Sequence, residues 1–172
     1  DVADGRADLD HVRPDEPTVD VRGRRDEDPG PGLAVARLAG RDDEDPVGGR
    51  LATALAVSGR HVLLVDTDPQ GNMTSGVGLK GSRAENGTVY EALLSDADAG
   101  GFLLPTNIDR LSIVPADRQL TGAEIELVSL QDRERRLKRL LENIRYMFDY
   151  IFIDSPPSLG LLTLNGLVAA DS

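Results

Sequence analysis

Three observations predict an α/β fold, a doubly wound and mostly parallel sheet flanked by helices. Short apolar runs at residues 61–65, 111–114 and 150–153 carry bulky side chains on both faces, as strands covered by helices on both sides require. Segments of helical periodicity alternate with them. Two of the runs end in an aspartate and a proline-containing loop, and the carboxyl ends of parallel strands are where such folds place ligands.

Taken in order, the chain opens on residues that differ in kind from the rest. The first fifty contain no Lys, Ser, Asn, Gln, Ile, Met, Phe or Tyr, so they offer little bulky apolar surface to offset ordering entropy. Residues 1–32 therefore read as a disordered acidic leader rich in Arg, Pro and Gly, and residues 33–172 as a partial nucleotide-binding domain with a candidate strand at 33–36. Leu51, Ala54, Leu55 and Val57 recur near helical spacing, and Ser58-Gly59 supplies a stop before the strand at 61–65. Thr88 with Glu91 three residues on is a capping box opening a helix to Leu94. The strand at 111–114 is stopped by Pro115. Helices are predicted over 121–130 and 133–146; in the second, Leu137, Leu140, Leu141 and Ile144 form one stripe opposite Arg135, Lys138, Arg139 and Glu142. The strand at 150–153 ends at Asp154.

Composition narrows the function classes. A chain of 172 residues with 40% apolar content supports one domain with its own core. Zero cysteines exclude disulfides and thiolate metal sites, and two isolated histidines, His11 and His61, make no metal cluster. A net charge of −11 argues against nucleic-acid binding by these residues, because duplex affinity is built from cations that displace counterions. No apolar run is long enough to span a bilayer, so no membrane partner and a cytoplasmic location are expected.

The chemistry concentrates in two loops. Val65 is followed by Asp66-Thr67-Asp68-Pro69-Gln70-Gly71-Asn72, and Ile153 by Asp154-Ser155-Pro156-Pro157-Ser158-Leu159-Gly160. An aspartate directly after an apolar strand is where P-loop NTPases hold magnesium beside phosphates through a hard oxygen ligand, and taken alone it equally reads as a turn-former or helix cap. Together with Thr121-Gly122-Ala123-Glu124-Ile125-Glu126-Leu127-Val128-Ser129, these stretches resemble the ParA/Soj family of chromosome and plasmid partitioning ATPases, which have a P-loop NTPase fold with a deviant phosphate loop. The resemblance implies catalytic roles for Asp68, in positioning the attacking water, and for Asp66 beside it near the metal. It implies that Asp154 is the Walker B aspartate, that Asp154 and Asp66 hold magnesium, through water, and that Pro156, Pro157 and Gly160 form a switch responding to the γ-phosphate. ATP and Mg2+ are the implied cofactors. The implied partners are a second copy in an ATP-sandwich dimer, a ParB-type protein and non-specific DNA, with nucleoid association.

The family's phosphate loop, Lys-Gly-Gly-x-Gly-Lys-Thr-Thr-x, is degenerate here. Counted back from Leu51 it falls at Ala39-Gly40-Arg41-Asp42-Asp43-Glu44-Asp45-Pro46-Val47, where only Gly40 agrees and Glu44 stands in the lysine position. Consecutive acids there would repel a triphosphate. Shifted by one nucleotide, codons permitted for residues 40–45 can spell Gly-Gly-Met-Thr-Lys-Thr, so an out-of-frame stretch of a GC-rich gene is one explanation and a divergent acidic leader the other. The resemblance also implies a C-terminal part beyond Ser172, missing from this sequence. Two readings result: a partial ParA/Soj-type ATPase, or a non-catalytic pseudo-ATPase interaction module that has lost the phosphate loop. A serine hydrolase is disfavoured, since neither Ser155 nor Ser158 sits in Gly-x-Ser-x-Gly and no histidine follows.

Overall fold

The computed structural model describes residues 47–170. In chain order they form α1 (Val47–Val57), β1 (Val62–Asp66), α2 (Asn72–Gly76), α3 (Val89–Leu94), β2 (Leu104–Pro105), β3 (Leu111–Val114), α4 (Leu120–Leu127), α5 (Arg136–Glu142), β4 (Tyr150–Asp154) and α6 (Leu161–Ala169). Single 3₁₀ turns lie at Ala99–Phe102 and Arg145–Met147.

The sheet runs β2-β3-β1-β4. β1 pairs in parallel with β3 and β4, and only the short β2 is antiparallel. Every residue of β1 is buried, which explains why its sequence shows no alternation. Its side chains divide between two apolar layers. Leu63 and Val65 join Val114, Ile151 and Ile153 under α3, α4, α5 and α6, while Val62 and Leu64 join Leu111, Ile113 and Phe152 under Ala52 and Ala56 of α1 and Met73 of α2. Helices therefore cover both faces, and the parallel crossovers bring the carboxyl ends of β1 and β4 side by side.

The strands predicted at 61–65, 111–114 and 150–153 are present, β1 and β4 each extending to include the aspartate. The capping box is formed as well: the Thr88 side chain accepts from the Tyr90 amide, and the Thr88 amide donates to Glu91 Oε2 at 2.8 Å. The two predicted long helices are shorter than expected. That over 121–130 ends at Leu127, and that over 133–146 is reduced to α5. The late start of α5 is caused by Asn165 of α6, which inserts its amide between two backbone groups that a longer helix would pair. Leu137 N donates to Asn165 Oδ1 at 3.0 Å, and Asn165 Nδ2 donates to Arg133 O at 2.7 Å. Arg136, one residue earlier, is buried and donates to the carbonyls of Leu93 and Ser95, satisfying the C-terminal end of α3. Helices α2 and α6 and strand β2 were not anticipated. The leader expected over 1–32 and the strand expected at 33–36 lie outside the described residues.

Candidate functional site

Asp66 and Asp154 are register partners across the β1–β4 pair. The next residue locks that register: the Thr67 amide donates to Asp154 O at 2.8 Å, and Thr67 Oγ1 donates to the same carbonyl at 2.6 Å. Both carboxylates are buried, Asp66 fully and Asp154 at 7% exposure.

Asp66 is occupied by the protein itself. Its Oδ2 accepts from the Thr74 amide at 2.8 Å and from Thr74 Oγ1 at 2.7 Å, and its Oδ1 accepts from the Asp68 amide at 3.1 Å. Burial nonetheless pushes its pKa up to about 6 against these hydrogen bonds. Thr74 also accepts from the Ala116 amide at 3.0 Å, tying the loop to the end of β3. Asp68 is half-buried and fixed by an Asx turn, with its Oδ1 accepting from Gln70 N at 2.9 Å. Gly71, at φ 63°, closes the turn in the left-handed region, with the Ala116 carbonyl 3.3 Å from where a Cβ would stand.

Asp154 has the more open carboxylate. Its pKa is pushed up to about 7, first by burial and then by the negative charges of Asp66 and Asp68. A divalent cation would relieve that like-charge crowding, and Asp154 is a residue that could hold one. Among the described residues no three acidic or histidine side chains are arranged to hold a metal ion between them.

The second loop is shaped by α6. Thr163 Oγ1 lies 2.5 Å from Ser158 O and 3.2 Å from Pro156 O, so this buried hydroxyl folds the loop back on the helix that follows it. Gly166 makes room for Ser155, whose Oγ is 2.6 Å from the position a Cβ would take. Pro156 is buried, Pro157 exposed, and Gly160 opens α6. The structure thus brings Asp66, Asp68 and Asp154 together and sets Pro156, Pro157 and Gly160 on the adjoining loop. Sequence reasoning missed Thr67, Thr74 and Thr163, whose partners lie in other segments or in loop carbonyls. The phosphate loop expected at 39–47 lies outside the described residues apart from Val47, the first residue of α1.

A mostly parallel sheet flanked by helices, with carboxylates at the ends of two adjacent strands, is the arrangement of an α/β domain of the P-loop type. The sequence model of a family described as an AAA domain matches residues 47–172. The sporulation initiation inhibitor protein Soj of Bacillus subtilis is 52% identical over 122 residues, 71% of this chain and 48% of its own length. The chromosome partitioning protein ParA of Myxococcus xanthus is 54% identical over 122 residues, 71% of this chain and 43% of its own. A solved structure of cobyrinic acid a,c-diamide synthase from Mycobacterium smegmatis, with bound ATP analog and magnesium, superposes with a TM-score of 0.69 at 40% identity, covering 82% of this chain and 57% of that one. The chain belongs to the ParA/Soj family of partitioning ATPases. It spans about half the length of the curated relatives it matches. No helix among the described residues is long and apolar enough to cross a membrane.

Proposed function

We propose that this chain carries the metal-facing and γ-phosphate-facing part of the nucleotide site of a ParA/Soj-type ATPase of DNA partitioning. The intact protein binds ATP with Mg2+ and hydrolyses it to ADP and phosphate. The observation that carries this is the convergence of Asp66, Asp68 and Asp154 at the adjacent carboxyl ends of β1 and β4.

In the reaction a water oxygen bonds to the γ-phosphorus as the bond to the bridging oxygen breaks and ADP leaves. Asp68, held by Gln70 N, orients that water. Asp154 would hold Mg2+, which would supply neutralisation of phosphate charge. Asp66 contributes mainly by position, since its accepted bonds from Thr74 and Asp68 would have to be given up for direct ligation. Pro156, Pro157 and Gly160 sit on the loop that responds to the γ-phosphate. A second copy in an ATP-sandwich dimer, a ParB-type protein and non-specific DNA are the partners of the intact cytoplasmic, nucleoid-associated protein. The acidic balance of this chain assigns the DNA contact to other residues.

Glu44, in the position of the phosphate-binding lysine, favours a second reading, a pseudo-ATPase interaction module. Calorimetric titration with a non-hydrolysable ATP analogue, with and without Mg2+, separates the two. On the ATPase reading the chain, or its Glu44→Lys variant, binds only with Mg2+, and Asp154→Asn weakens binding by roughly tenfold or more. Absence of binding in both proteins would leave the interaction module standing.

A further inference from the structure

Helix α6 begins at Gly160 without a side-chain cap and without an acidic residue in its first turn. Its leading amides thus have neither an intrahelical acceptor nor a local one. Gly160 itself has φ −85° and ψ −175°, an extended conformation open to any residue, so glycine is not needed there for its backbone freedom. The need is for space. A Cβ at Gly160 would overlap Glu124 Oε1, and the Glu124 carboxyl carbon would lie only 2.7 Å away. Glu124 reaches this point from α4, whose Leu120, Ala123 and Leu127 are anchored in the larger apolar layer. Its Oε1 is shielded from solvent and has no hydrogen-bond partner. An acceptor lacking a donor therefore faces a helix start whose donors lack an acceptor, and the helix dipole favours negative charge at that end.

We propose that Glu124 is the cap of α6, supplied from another helix, and hence a positioning residue that ties α4 to the loop at residues 155–160. Its carboxyl oxygen, as an acceptor for the leading amides, holds the loop's far end in place, and Gly160 is the gap through which it does so. If the loop answers the γ-phosphate, as the proposed function has it, α4 is the element that moves with it. The contact stands without that reading.

A double-mutant cycle on the full chain without nucleotide tests the contact, read by amide hydrogen exchange at residues 161–163. Glu124→Ala and Gly160→Ala should each speed exchange there by about five- to tenfold, the size of a lost helix cap. Gly160→Ala should add nothing once Glu124 is alanine, and Glu124→Gln, which keeps an acceptor oxygen, should restore most of the protection. Additive effects, or a Gly160→Ala variant that exchanges like the parent because the carboxylate swings into solvent, would overturn the proposal. Should Gly160→Ala unfold the chain, the comparison of Glu124→Gln with Glu124→Ala decides alone, equal exchange in the two counting against it. A failed ATP titration leaves this cycle intact, and a failed cycle leaves the titration intact.

Discussion

At the scale of single residues, folding and metal binding make opposite demands on pH at the two buried aspartates. Asp66 and Asp154 titrate at about 6 and about 7, above the ordinary 3.8, so the native chain binds more protons than the unfolded one across that window. Stability from these groups is therefore full at acid pH and is lost as pH rises through about 6 to 7. Urea unfolding should give a higher midpoint at pH 5 than at pH 8, and Asp154→Asn should shrink the difference. Metal binding runs the other way, because the ion needs the deprotonated carboxylate, so adding Mg2+ should stabilise the chain at pH 8 and do little at pH 5. Thr74 offers a second test. Thr74→Val removes the donor to Asp66 Oδ2 and the acceptor for Ala116 N, and should cost about 1–3 kcal/mol in urea unfolding, with Thr74→Ser costing less. The aspartates themselves were legible, since each follows an apolar strand. Thr74 was not, because its second partner, Ala116, lies 42 residues away and nothing local marks a buried hydroxyl.

Elements were legible where the local signal agreed with the tertiary one. Strands β1, β3 and β4 are apolar runs too bulky for any exposed position, and Thr88 with Glu91 is a local device that works without the rest of the chain. Replacing Thr88 by Ala should cost about 1 kcal/mol in thermal or chemical unfolding. Helix α5 was overextended by sequence reasoning because the stripe from Leu137 to Ile144 carries no stop signal at its start. The signal belongs to Asn165, in another helix, which satisfies Leu137 N and Arg133 O and also donates to Leu161 O at 2.9 Å. Asn165→Leu should cost on the order of 2–4 kcal/mol by stranding these buried groups, a loss measurable by urea unfolding. Helix α6 escaped notice because Asn165 and Gly166 interrupt an otherwise even run of apolar residues.

Across the whole molecule, the sheet separates two apolar layers that share strands but not side chains. Leu63 points into one and Leu64 into the other, both fully buried. Leu63→Ala and Leu64→Ala should each lower stability by about 2–5 kcal/mol. With the sheet between them, the double variant should lose close to the sum of the two, and a marked shortfall in urea unfolding would show that the layers relax together. The doubly wound plan followed from the order of elements alone, because helices must cover both faces of strands that are apolar on both. The antiparallel β2 could not be foreseen, being two residues long with only backbone pairing to define it.

The doubled hydrogen bond from Thr67 to the Asp154 carbonyl sets a mechanical limit on all of this. It rivets the last peptide of β4 to its neighbour, so any displacement of the second loop must begin after that point, at Ser155, and end where α6 takes over. The Asp154 carboxylate lies on the fixed side of that boundary, and Pro156 and Pro157 lie on the other.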